Sequence, residues 1–183
     1  SILSLFFIAW RLSYLAGPSV NIWSAAKAIS LSVLVLYILP SRLSEFVKPL
    51  YLAERCAVPA SRALAAVVCE RLSDLFIMAL AVTAAVTYLA NDNLRSILPY
   101  WLSVATAVVV FCASFILRPR LFEKLIALLP WSRVKPPLSQ LLQQAGEVLT
   151  LRSILPTLFL GALGWSMSFF MTFCLLALAG SKP

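Results

Sequence analysis

Residues 97–117 read ILPYWLSVATAVVVFCASFIL, a stretch without a single formal charge. About 20 apolar residues in a helix, rising about 1.5 Å each, match the ~30 Å hydrocarbon core of a bilayer. Directly after it the chain turns basic, with Arg118, Arg120, Lys124, Arg133 and Lys135 against one acid, Glu123. A basic connector of this kind marks the cytoplasmic end of a membrane span. The rest of the chain has the same solvent preference: 62% of residues are hydrophobic, 12% are charged, and the mean hydropathy is +0.95. Soluble domains are about half apolar and about a quarter charged, and a 183-residue globule has too little interior to hide so much apolar surface. The fold class read from the sequence is therefore all-α, a polytopic helical bundle of the cell membrane with short or re-entrant and interfacial helices.

On the C-terminal side, residues 138–151 (LSQLLQQAGEVLTL) place leucines and Val148 at helical spacing, the pattern of an amphipathic helix on the membrane surface. Residues 154–179 are a further span. Its small residues Gly161, Ala162, Gly164, Ser166 and Ser168 suit close helix packing. On the N-terminal side, nothing breaks a helix between 60 and 90, which predicts one long helix with a charged first half. The apolar part, 75–90, ends at Asn91-Asp92-Asn93, an external loop if the basic connector is cytoplasmic. Residues 28–39 are too few for a full crossing and stop at Pro40, so they are either completed by 21–27 or form a short or re-entrant helix. Residues 1–10 read as the tail of a helix, followed by a mixed segment, 11–27, broken by Gly17-Pro18. Both ends look cut, so 1–183 is expected to be one transmembrane domain of a longer protein.

Several function classes are excluded. The chain has no His, which removes imidazole catalysis and His-ligated metal. Cys56, Cys69, Cys112 and Cys174 form no CxxC pair and fit neither a disulfide framework nor a zinc spacing. Rossmann, P-loop and nucleophile-elbow patterns are absent. No catalytic residue, metal or cofactor is assigned. The net charge of +8 is read as cytoplasmic loops and contact with anionic lipid headgroups, not as nucleic-acid binding.

The unusual region is 41–74. It holds five cations (Arg42, Lys48, Arg55, Arg62, Arg71) and four anions (Glu45, Glu54, Glu70, Asp74), punctuated by Pro49 and Pro59. In a helix Glu70 and Asp74 share a face, and Arg71 lies three positions before Asp74. A charge at the bilayer centre costs about 2.5–3.5 kcal/mol, so such residues normally face a cavity and pair. The sequence predicts that Arg42, Glu45 and Lys48 pack against Glu70, Arg71 and Asp74, because mutual neutralisation lets the group sit below the headgroups. The competing reading is a cytoplasmic surface helix with solvated ion pairs.

At these residues the sequence resembles the flippase-like family named for the transmembrane region of lysylphosphatidylglycerol synthase. Members show Pro-x-Arg-x-Gly-Glu, then a basic residue, and further on Glu-Arg-Leu-x-Asp. Pro40, Arg42, Glu45 and Lys48 match the first motif, and Glu70, Arg71, Leu72 and Asp74 match the second. Ser44 replaces the usual Gly, and Lys48 stands where Arg is common, exchanging a forked donor for a point charge. The resemblance implies a bacterial or archaeal membrane protein that handles lipids, with further helices or a soluble synthase domain outside this stretch. A phospholipid or polyprenyl phosphate needs cationic donors beside an apolar groove, which makes Arg42, Lys48, Arg55 and Arg71 candidate substrate-binding residues. Glu45, Glu70 and Asp74 would hold those cations or bind a cationic headgroup. The leading expectation is a lipid translocase or lipid-binding transporter module, not an enzyme within this segment. The alternatives are a membrane transferase using Glu45, Glu70 or Asp74 as base or metal ligand, and a membrane anchor for a lipid-modifying synthase. The partners expected are membrane lipids, with homo-oligomerisation left open.

Overall fold

The computed structural model describes residues 2–38, 44–89, 98–117, 135–148, 150–178 and 180. Among them every regular element is helical, as lipid requires of a backbone that must satisfy its own hydrogen bonds. The helices are α1 (Ile2–Ala16), α2 (Ile22–Leu36), α3 (Val47–Arg55), α4 (Ala60–Leu89), α5 (Leu98–Leu117), α6 (Lys135–Val148) and α7 (Leu151–Leu178). A single 3-10 turn, Ser44–Phe46, leads into α3. Arg42, the external loop at 91–96 and the connector cations Arg118, Arg120, Lys124 and Arg133 lie outside the described residues.

The N-terminal helix corrects the sequence reading. It does not end near Trp10 but continues through Arg11 to Ala16. Gly17 stops it with φ +110°, a left-handed conformation that glycine adopts without strain. Asn21 then opens α2 by accepting a hydrogen bond from the Ser24 amide at 2.7 Å, the usual work of an N-cap. The mixed segment is thus a helix end, a turn and a helix start.

α2 and α3 form a hairpin with both outer ends at one end of the bundle. Asn21 and Ile22, where α2 begins, share a cavity with Arg62 near the start of α4. The other end of α2 is joined to the turn by Ser32 Oγ, which donates to the Ser44 carbonyl at 2.8 Å. The chain then returns along α4, with Lys48 beside Glu70. Residues 22–27 do extend the 28–39 segment at its start, giving one helix of 15 residues, still shorter than a full crossing. α4 has 30 residues, about 45 Å of helix, which puts Glu70 and Asp74 about 15–21 Å from its start.

Small side chains make the close contacts. Ala9, Ala16, Ala25, Ala28, Ala63 and Ala66 are buried around Leu12 and Leu52, letting backbones approach where lipid supplies no hydrophobic drive between helices. The α1–α7 seam is the most extensive. There Ser4 Oγ donates to the Gly164 carbonyl at 3.2 Å and pairs with Ser168 Oγ at 2.8 Å. α6 turns Leu142, Ala145 and Val148 inward and packs on α4, so the stripe expected to meet lipid is covered by protein. Outward, Leu34, Phe111, Leu155 and Phe170 are exposed. Among the described residues one helix, Ser153–Leu178, is long and apolar enough to cross a membrane.

Candidate functional site

Four parts of the chain deliver charge or donors to one place. α1 contributes Arg11, α4 contributes Glu70, Arg71 and Asp74, the turn and α3 contribute Glu45 and Lys48, and α7 contributes Trp165. Arg11 Nη1 lies 2.8 Å from Asp74 Oδ1, and Arg11 Nη2 lies 3.5 Å from Glu70 Oε1. Lys48 Nζ bridges Glu70 and Glu45 at 3.2 Å each. Arg71 reaches Glu45 at 2.6 Å and Asp74 at 3.4 Å. Trp165 Nε1 donates to Asp74 Oδ1 at 3.0 Å. Three cations face three anions, and the described group is neutral.

Burial grades the site from a dry floor to an open mouth. The Arg11 and Glu70 side chains are each 2% exposed, whereas Arg71 is 44% and Glu45 38% exposed. A cavity of about 380 Å³ runs between them, with Ile29, Val33 and Leu36 of α2 as its apolar wall. Two buried atoms on the floor, Arg11 Nε and Glu70 Oε2, have no hydrogen-bond partner among the described residues. The buried group gains little net stability over an apolar core of the same shape, because desolvation offsets the Coulomb attraction. Its presence points to work beyond folding.

Of the residues expected to form a site, Glu45, Lys48, Glu70, Arg71 and Asp74 come together. Arg55 is exposed at the end of α3 and does not line the cavity. Arg42 lies outside the described residues. The solvated surface reading fails for Glu70 and Asp74, which are 1% and 9% exposed. Sequence reasoning missed Arg11 and Trp165. Arg11 had a readable signal: it is the one charge within α1, and a charge within a lipid-facing helix must turn inward and pair. Among the described residues no group of His, Cys, Asp or Glu is suited to hold a metal ion.

Gly161 on α7 makes room for the floor. A Cβ there would meet Arg11 Nη1 at 2.5 Å and Ile77 Cδ1 at 2.6 Å. Arg11 has little freedom to move away, since Asp74 and Glu70 hold its guanidinium. Gly161→Ala is expected to cost about 1–3 kcal/mol, the range for overpacking a filled core. Gly164→Ala, whose Cβ would lie 3.2 Å from Ile8 Cγ1, should cost less. Unfolding in mixed detergent micelles would rank the two, and equal losses would contradict this account.

The sequence model described as "Lysylphosphatidylglycerol synthase TM region" matches residues 1–183, the whole chain. The chain belongs to this family. No match was found among curated proteins or among solved structures. As a member of the lysylphosphatidylglycerol synthase TM-region family, the chain is a helical membrane protein whose family ties it to lipid metabolism.

Proposed function

We propose that the chain is a flippase-like module, a multi-pass protein of the cell membrane that carries a phosphate-bearing lipid headgroup past the bilayer centre. The observation that supports this most is the position of the ion network, a third to nearly half of the way along α4 and beside the tip of the α2–α3 hairpin. Charges at that depth are expensive unless paired, and here they border a cavity with an apolar wall. The polar floor would receive the headgroup while the acyl chains remain against α2.

The pairs at the mouth are the exchangeable ones. Arg71 and Glu45 are both partly exposed, and an ion pair in such a setting is worth about 0–1 kcal/mol. An incoming phosphate can therefore take Glu45's place on the Arg71 fork with little loss. Arg11 and Asp74, dry and closely paired, stay fixed and shape the floor. A basic connector after α5 on the cytoplasmic side would place the start of α4 there too. The transferase alternative has less support, because each of the three carboxylates already touches a cation.

Reconstitution into liposomes with headgroup-labelled phosphatidylglycerol tests the proposal. The chain should speed exchange of the label between leaflets, and Arg71→Gln should slow that exchange about tenfold or more, as loss of a charge-assisted contact implies. Because Arg71 is partly exposed, its variant should remain folded. No exchange above that of protein-free liposomes, or an unchanged rate in Arg71→Gln, would overturn the reading.

A further inference from the structure

A second cation site lies at the end of the bundle where α1 stops and α2 and α4 begin. Arg62, in the first turn of α4, shares a cavity of about 720 Å³ with Trp10, Tyr14, Gly17, Asn21 and Trp23. Its guanidinium lies against the backbone of Gly17, where a Cβ would sit 3.0 Å from Nη2. The glycine is required there twice over, by its positive φ and by this contact. Arg11, Lys48 and Arg71 each have carboxylates beside them. Arg62 has no ion pair or hydrogen bond among the described residues, and its Nε is buried without a partner.

Three features of the cavity favour an anion held at the membrane surface. Trp10, Tyr14 and Trp23 are 44%, 45% and 78% exposed, and exposed Trp and Tyr settle at the level of lipid headgroups. The 15-residue α2 directs its N-terminus into the same cavity, through Asn21, Ile22 and Trp23; Asn21 caps the Ser24 amide, and the Ile22 and Trp23 amides ahead of it, with the helix dipole, favour negative charge. A guanidinium fork matches phosphate oxygens in pairs. We infer that the Arg62 cavity binds the phosphodiester of an anionic phospholipid, as a docking site separate from the ion network. The acyl chains would run outward over the exposed Trp10 and Tyr14. The inference requires only that the protein sits in a membrane, and not that the ion network moves lipid.

Photo-crosslinking of the full chain separates the two sites. The protein would be reconstituted in phosphatidylcholine vesicles containing a phosphatidylglycerol analogue with a diazirine in its headgroup, and adducts mapped by peptide. Adducts on residues 10–23 report the Arg62 cavity, and adducts on residues 161–165 report the ion network. Arg62→Gln should lower the first set about tenfold, as loss of a charge-assisted contact implies, and leave the second set unchanged. Arg62→Lys should fall in between, because it keeps the charge and loses the fork. Trp23→Ala removes a ring that is 78% exposed, so it should weaken the same adducts while the fold is kept. Lys27→Gln, an exposed cation on α2 outside the cavity, should change nothing. Equal losses for Arg62→Gln and Lys27→Gln would mean diffuse surface charge and overturn the site. Displacement of the adducts by millimolar inorganic phosphate would overturn the lipid as its occupant.

Discussion

Arg11→Met is expected to destabilise the bundle by about 3–5 kcal/mol, the cost of leaving a buried charge without its partner. The Arg11 side chain is 2% exposed and touches both Asp74 and Glu70. Met fills much of the same volume, so the loss would report charge more than packing. A second substitution isolates that term: Arg11→Met with Asp74→Asn should recover part of the loss, because the orphaned charge is gone. Unfolding in mixed micelles reads both variants. A double variant no better than the single would show that packing, not charge, dominates. Arg71, which the sequence also places in the paired group, should cost less than Arg11, since at 44% exposure water can solvate what it leaves behind.

Lys48→Met is the second large effect, again about 3 kcal/mol or more. Lys48 is 5% exposed and is the nearest cation to Glu70; the others stand at 3.5 Å and 3.9 Å. It also holds α3 against α4, so its removal should loosen the hairpin as well as lower stability. Cys56, half-buried at the end of α3, provides the readout. In a variant with Cys56 as its sole cysteine, Lys48→Met should accelerate maleimide labelling, and Lys48→Met with Glu70→Gln should slow it again. Labelling at the original rate would show that the ion bridge does not secure the hairpin.

Much of the bundle was legible because lipid imposes simple rules. The uninterrupted stretch from 60 to 90 became α4 almost to the residue, and the apolar run after 97 became α5. The pairing of Glu45 and Lys48 with Glu70 and Arg71 followed from the need to neutralise charge at depth. Arg11 was lost for a different reason. Its neighbours are apolar on one side and mixed on the other, so a boundary fell where the helix in fact continues. Gly161 was legible as a small residue for close packing, but not as the seat of a guanidinium, because that depends on which helix lies across from it. Trp165 offered no sequence signal at all, since one indole among apolar residues looks like any lipid-facing aromatic.

The α2–α3 hairpin also dictates an order of assembly. α3 has nine residues and carries Lys48, Glu54 and Arg55, so it is too short and too polar to partition into lipid alone. It is expected to settle only once carboxylates are there to receive Lys48, which means after α4 is in place. α1 and α4 can associate earlier through Arg11 and Asp74. The hairpin is therefore expected to dock after α4 during biogenesis.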